Sequence, residues 1–363
     1  MQHRQTTNTR RNVNDYLSRK AKEISPYAAG AQPKAGGVIK LNTNENPYPP
    51  SPEAMRAMAD FNAAALRLYP RPDGGVFKTA AANVHNLPES YVFCGNGSDE
   101  VLGFAFDAFF DGNIMFPDIT YSFYPVWADL FGISYNLLPL GDDFTIPVDR
   151  LKADGIVLAN PNAPTGIALT LSEVEQVLKQ NENAVVIVDE AYAAFGAQSA
   201  APLVNDYPNL LVVNTLSKSH SLAGLRAGYA LGQPHLIGGL ERIKDSFNSY
   251  PVDSVAQAVA AAALNDTAYT NETAARIVAT RERTTAALAK LGFNVLPSKT
   301  NFVFATRKKI PAADLQAYLE TQNIYVRRWD KPRISEYLRI SIGTDAQMDA
   351  LIDAIKSFIS SPV

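Results

Sequence analysis

Cysteine is nearly absent: Cys94 stands alone in a chain of 363 residues. That excludes an internal disulfide framework and a cysteine-based zinc site. Histidine is also scarce, and His3, His85, His220 and His235 lack the spacing that gathers metal ligands, so no metal is expected. No stretch approaches the ~18 uninterrupted apolar residues of a membrane span. The opening residues, MQHRQTTNTRRNVNDYLSRKAKE, are polar where a secretory signal is apolar. Neither charge sign dominates: 33 basic and 36 acidic residues leave a net charge of −3, with no basic block and no acidic tail. Nucleic acid and membrane are therefore not expected partners. No G-x-G-x-x-G or Walker-type pattern opens a strand–helix unit, which argues against a plain nucleotide-binding domain. The near-absence of thiols fits a reducing, cytoplasmic setting.

Apolar residues, by contrast, are plentiful at 47%, enough for a large core and a second, smaller one. Short apolar runs alternate with helical patterns through the middle of the chain: YVFCGNGSDE, NIMFPD, GIVLANPNAPTG, the amphipathic LSEVEQVLKQ, NAVVIVDEAY, NLLVVNTLSKS and GYALG. Nearly continuous apolar runs predict strands buried on both faces, and their alternation with helices predicts a mostly parallel α/β sheet. Each polar cluster follows its apolar run, which places it at the carboxyl end of a strand, where such sheets hold ligands. After about Tyr250 long helices and short strands alternate as in a smaller α+β domain. The expected division is residues 1–45 as an arm and part of the small domain, 46–250 as the large domain and 251–363 as the small one, with VIKLNTNENP as a strand joining it.

Three clusters carry chemistry. VVIVDEAY ends a buried run with Asp189 and Glu190, with Tyr192 just beyond. Such a carboxylate either caps a strand end or sits beside a cation, and a protonated pyridine nitrogen is one such cation. GNGSDE places Gly97, Ser98 and Asp99 between a strand and a helix. That turn is either an ordinary helix start or a ring of backbone N–H groups suited to a phosphate. In NTLSKSHSLAGLRAGY, Thr215, Ser217 and Arg226 suit a phosphate, and Lys218 between them is either solvated or a nucleophile toward an aldehyde.

With LNTNENPYPPSP, RLYPRPDG, PDITYSFYPV and LRISIG in the same order, these stretches resemble the fold-type I pyridoxal-phosphate aminotransferases and, within them, the histidinol-phosphate aminotransferases. The likeness runs from about Tyr27 to the final helix and implies an aspartate-aminotransferase-like fold. It implies that Lys218 bonds the aldehyde of pyridoxal 5'-phosphate and later shuttles a proton. Asp189 would hold the pyridine nitrogen and Tyr192 the phenolic oxygen. Gly97, Ser98, Asp99, Thr215, Ser217 and Arg226 would surround the phosphate, Tyr121 would pack on the ring, and Tyr69 would reach the cofactor of a partner subunit in a homodimer. The family carries Asn immediately before PTG. Here Ala163 stands there, so either Asn162 reaches the phenolic oxygen or Tyr192 holds it largely alone.

At the substrate end, Arg339 matches the arginine that grips the α-carboxylate, and Arg327 and Tyr27 match contacts to a substrate phosphate. Arg328 and Arg333 are rival candidates to Arg327; as strand neighbours, Arg327 and Arg328 must face opposite ways. The implied reaction is ping-pong transamination of histidinol phosphate with 2-oxoglutarate, giving imidazole-acetol phosphate and glutamate in histidine biosynthesis. An aromatic amino-acid aminotransferase, a phosphothreonine decarboxylase of the same fold, and a non-catalytic pyridoxal-phosphate-binding protein are the alternatives.

Overall fold

The computed structural model describes residues 16–28, 30–33 and 36–360. In chain order its strands are β1 (Ile39–Lys40), β2 (Val92–Gly95), β3 (Ile114–Pro117), β4 (Tyr135–Leu138), β5 (Gly155–Ala159), β6 (Val185–Asp189), β7 (Leu210–Thr215), β8 (Gly228–Leu231), β9 (Asn294–Val295), β10 (Phe302–Thr306), β11 (Ile324–Tyr325) and β12 (Leu338–Ser341). Seven of them form one sheet in the order β2-β8-β7-β6-β5-β3-β4. Every pair in it is parallel except those made by β8, which runs against both β2 and β7. The expected mostly parallel α/β sheet between helices is thus observed.

Alternation of side chains across the strands divides the core into two layers. Val157, Ala159, Ile187, Leu211, Val213 and Ala230 face one side, packed with helices Ser98–Phe109, Tyr124–Phe131 and Pro234–Phe247. Ile156, Leu158, Val186, Val188, Leu210 and Val212 face the other, with helix Leu171–Gln180. That helix opens with a capping box in which Thr170 and Glu173 satisfy each other's backbone N–H. Central strands buried on both faces have no solvent side to pattern, which is why their sequences read as unbroken apolar runs.

A third core gathers Leu41, Ile277, Val303, Leu315, Ile324, Ile340 and Leu351 around the antiparallel sheet β12-β10-β9 and the parallel pair β1–β11. Helix Ser254–Asn265 departs from the pattern expected after Tyr250. Its Ala256, Val259, Ala260 and Leu264 are buried in the core of the large sheet, not in this third core. Its alanines let it lie close against helices Pro52–Ala59 and Gly75–His85. The large packing unit therefore extends past the expected boundary at 250/251.

Candidate active site

Sheet register assembles the site. Ala159 on β5 lies opposite Asp189 on β6, Asp189 opposite Val213 on β7, and Thr215 opposite Gly228 on β8. The carboxyl ends of β5, β6 and β7 thus meet one edge. Because β8 runs the other way, its start lies at that same edge, and Arg226 just before it is delivered there too. A cavity of about 610 Å³ opens at this edge, and its lining includes Lys218, Asp189, Tyr192, Tyr121, Arg226 and Arg339.

Asp189 is only 6% exposed. Its Oδ2 accepts from the Tyr124 hydroxyl at 2.9 Å and its Oδ1 from the Ala191 N–H at 3.2 Å. Burial pushes its pKa up to about 6, against the pull of both hydrogen bonds. A carboxylate so placed gains by facing a cation. Glu190, one residue on, points away and is held by Ser199 Oγ and the Ala200 N–H. Lys218 Nζ donates to the Thr43 carbonyl at 3.1 Å. Burial, then the Arg339 and Arg226 cations, lower its pKa to about 8, against the opposing pull of Glu45 and Asp99. Deprotonation near neutral pH is what a lysine needs to attack an aldehyde.

At the mouth of helix Ser98–Phe109, Gly97 has φ 86° and brings no side chain to cap the first turn. A Cβ on Gly97 would lie 2.6 Å from Arg226 Nη2, and one on Gly228 would lie 2.4 Å from the Ser98 nitrogen. Glycine at both places lets strand, helix start and guanidinium close around one point. Arg226 Nη2 donates to Asp99 Oδ2 at 3.0 Å, and the Tyr121 hydroxyl donates to Asp99 Oδ1 at 3.0 Å. Thr215 Oγ1 accepts from the Ser217 N–H at 3.2 Å, and both hydroxyls are buried beside Arg226 in the cavity wall. The helix-start amides, two hydroxyls and an arginine form a donor set suited to a phosphate.

The far wall comes from the smaller core. Arg327 and Arg339 exchange backbone hydrogen bonds at 3.0 and 2.8 Å, so their side chains leave the same side of the ladder. Both guanidinium groups lie over the Trp329 ring, at 5.4 and 5.0 Å. Arg339 Nη2 donates to the Asn42 carbonyl at 2.9 Å, while its buried Nε has no partner among the described residues. A guanidinium that lines the cavity and still has an unpaired N–H is suited to an anionic ligand. Arg328 turns away to the Ser335 carbonyl at 2.8 Å and Asp330. Arg333 lines the cavity, but its guanidinium is held by the Leu140 and Gly141 carbonyls at 3.0 and 2.6 Å. Tyr27 stacks on Phe123 at 4.9 Å beside Tyr121.

Two of the expected residues lie outside this cavity, Asn162 against expectation and Tyr69 as its assignment to a partner subunit requires. Asn162 does not reach the cavity: it is 1% exposed, its amide donates to the Ile119 carbonyl and Thr165 Oγ1, and its Oδ1 accepts from Thr120. Ala163 and Pro164 line the wall instead. With its amide hydrogens donated to Ile119 and Thr165, Asn162 has no donor left for a phenolic oxygen. Tyr69 is 83% exposed and stacks on Tyr250 at 4.7 Å, outside its own cavity. Conversely, Tyr124 on Asp189 and the segment 42–46 along the wall had no assigned role. LNTNENP was the available signal for the segment, and its asparagines are the residues used.

The fold and this site define an α/β enzyme of the aspartate-aminotransferase type, with a lysine, a buried carboxylate and an anion cradle around one cavity. The family model for aminotransferase class I and II matches residues 36–355, and the chain belongs to that family. It is 51% identical over 352 residues to the histidinol-phosphate aminotransferase of Acinetobacter baylyi, covering 95% of this chain and 98% of the relative. It is 48% identical to that of Clostridium botulinum, covering 96% and 99%. Among solved structures it resembles histidinol-phosphate aminotransferase from Sinorhizobium meliloti in complex with pyridoxal-5'-phosphate. The TM-score there is 0.80 at 26% identity, covering 88% of this chain and 91% of that one.

Proposed function

We propose that this aminotransferase uses pyridoxal 5'-phosphate to exchange an amino group between histidinol phosphate and 2-oxoglutarate, giving imidazole-acetol phosphate and glutamate. The observation that carries this reading is the pair Arg327 and Arg339, both against Trp329 on the wall facing Lys218, in a chain half identical to histidinol-phosphate aminotransferases. When bound, the cofactor supplies an aldehyde that captures the amine and a pyridinium ring that takes up the electron pair released at the substrate α-carbon.

The protein does the rest. Asp189, buried and raised toward neutrality, holds the ring nitrogen protonated. Tyr192 would donate to the phenolic oxygen and Tyr121 would pack on the ring, both from the cavity wall. Arg226, Thr215, Ser217 and the N–H groups at Ser98 and Asp99 would anchor the phosphate, with Gly97, whose N–H donates to the Gly95 carbonyl at 2.9 Å, closing around it without a side chain. Lys218 would be the group that takes the proton from the substrate α-carbon; in the cofactor-free protein its pKa is lowered to about 8 by burial, then by Arg339. Arg339 and Arg327 grip the phosphate of one substrate and the carboxylates of the other, a planar fork serving both in turn. Tyr27 adds an aromatic wall. We assign Tyr69 to the cofactor of a partner subunit in a homodimer; its exposure beside the likewise exposed Leu66, Leu68 and Tyr250 supports this.

The test is a half-reaction screen. Histidinol phosphate should rapidly abolish the absorbance of the lysine-bound cofactor, and phenylalanine should not. Equal bleaching by phenylalanine would make the enzyme an aromatic amino-acid aminotransferase, and carbon dioxide released from phosphothreonine would make it a decarboxylase.

A further inference from the structure

The segment 42–46, Asn-Thr-Asn-Glu-Asn, lines the cavity with its first three residues and meets three of the residues assigned above. The Thr43 carbonyl accepts from Lys218 Nζ and the Asn42 carbonyl from Arg339 Nη2. Asn46 Nδ2 donates to the Lys218 carbonyl at 3.0 Å. Between them, Asn44 is 1% exposed and adopts a left-handed backbone with φ 57°, a conformation asparagine tolerates better than most residues. All its polar groups are used. Its N–H donates to Ser341 Oγ at 2.9 Å, its carbonyl accepts from Asn301 Nδ2 at 2.9 Å, its Oδ1 accepts from Ser341 Oγ at 2.9 Å, and its Nδ2 donates to Tyr192 Oη at 2.9 Å.

These bonds set the direction of a proton. Ser341 is buried, and its hydroxyl already accepts from the Asn44 N–H, so its own hydrogen needs an acceptor. Asn44 Oδ1 is that acceptor. The reverse amide orientation would leave the serine hydrogen without one among the described residues. Nδ2 must then face Tyr192, and an amide nitrogen can only donate. The Tyr192 oxygen therefore accepts from Asn44, and its own hydrogen is directed elsewhere. Tyr192 makes no donor bond to any described residue and lines the cavity.

We propose that Asn44 is a positioning residue for the reaction: locked by Ser341, its amide donates to Tyr192 and turns the tyrosine proton into the cavity. With neither Ala163 nor Asn162 donating to the phenolic oxygen, the relay Ser341–Asn44–Tyr192 directs the donor that is left, the Tyr192 hydroxyl. It also ties β12 and the smaller core to the cofactor side of the site. The proposal rests on the reading that Tyr192 faces the phenolic oxygen of pyridoxal phosphate.

The experiment is a pH titration of the absorbance of the lysine-bound cofactor in the full-length holoenzyme. Its midpoint reports the donor at the phenolic oxygen, and a merely structural loss would not move it. Asn44→Leu should raise the midpoint by about half a unit, the size of one weakened hydrogen bond. Asn44→Leu in a Tyr192→Phe background should match Tyr192→Phe alone. Ser341→Ala, which leaves Asn44 in place but unlocks its amide, should shift the midpoint in the same direction by less, and it carries the test if Asn44→Leu does not fold. An unshifted midpoint in the folded variant, or a shift that persists undiminished without the Tyr192 hydroxyl, overturns the relay. Should the wild-type protein itself develop no such absorbance with pyridoxal phosphate, the cofactor reading fails, and that outcome is distinct from either variant result.

Discussion

Replacing Asp189 with Asn should weaken cofactor binding and at the same time stabilise the cofactor-free protein. The carboxylate sits at the end of β6, buried, with hydrogen bonds only from Tyr124 and Ala191. Burial raises its pKa from the ordinary 3.8 to about 6. Between those values the folded state binds more protons than the unfolded chain, so stability falls as pH rises from about 4 to about 6, and the loss is complete above that window. At about 1.4 kcal/mol per unit, the cost of keeping Asp189 ionised is on the order of 3 kcal/mol above pH 6. An amide of the same shape carries no ionisation cost, with its Oδ1 accepting from the Ala191 N–H and the Tyr124 hydroxyl turned to accept from its Nδ2. Urea unfolding of cofactor-free Asp189→Asn should therefore show a higher midpoint than wild type at pH 8, with the difference vanishing near pH 4. Cofactor affinity should move the other way. Exchanging a charge-assisted hydrogen bond for a neutral one loses about 1–2 kcal/mol, roughly a 5- to 30-fold rise in dissociation constant. A folded Asp189→Asn protein that is less stable than wild type at pH 8, or that binds the cofactor equally well, would refute the assignment of Asp189 as a carboxylate held ready for a cation.

Lys218→Ala should cut turnover by roughly 10²–10⁴-fold or more and remove the absorbance of the lysine-bound cofactor, both read by spectrophotometry. Cofactor capture by the apo-protein should rise with pH around a midpoint near 8, set by burial and by Arg339, and a rise centred on the ordinary lysine range would contradict this. Arg339→Gln should move that midpoint upward, because a cation next to Lys218 is gone. It should also raise KM for either substrate by about 10- to 150-fold, the worth of one charged hydrogen-bonded contact, in steady-state assays. Under the proposed homodimer, Tyr69→Ala should impair turnover, and mixing it with Lys218→Ala should regain activity, since a hybrid of the proposed dimer has one site with both residues intact. No recovery after subunit exchange would place Tyr69 outside the partner's site.

Much of the cavity edge was legible because its signals are local. A run such as VVIVD ending in carboxylates, or a glycine turn before a helix, carries strand, exit and chemistry within ten residues, and a parallel sheet brings such exits to one edge. Other contacts were not legible. Arg327 was separated from Arg328 only by the backbone exchange with Arg339, which turns one arginine in and its neighbour out. Asn162 looked available by position. Loop closure spends its amide on Ile119 and Thr165, partners that proximity to PTG does not reveal in full. The boundary expected near residue 250 followed a change in pattern. The alanine-rich helix Ser254–Asn265 nevertheless packs on the large unit, because small side chains permit close approach to either neighbour.

The sequence by itself determined the order of the central strands and helices, because each is written in a short stretch with its own periodicity; the class of chemistry and the candidate lysine, carboxylate and arginines came from those stretches through their resemblance to a family. Tertiary structure alone decided which polar groups meet. Asn44 and Tyr192 lie 148 positions apart, and Asn44 and Ser341 lie 297 apart. A hydrogen bond depends on a few ångströms and an angle between two atoms, and no local pattern encodes that across such a separation. The direction of the Tyr192 proton is accordingly a property of the folded chain.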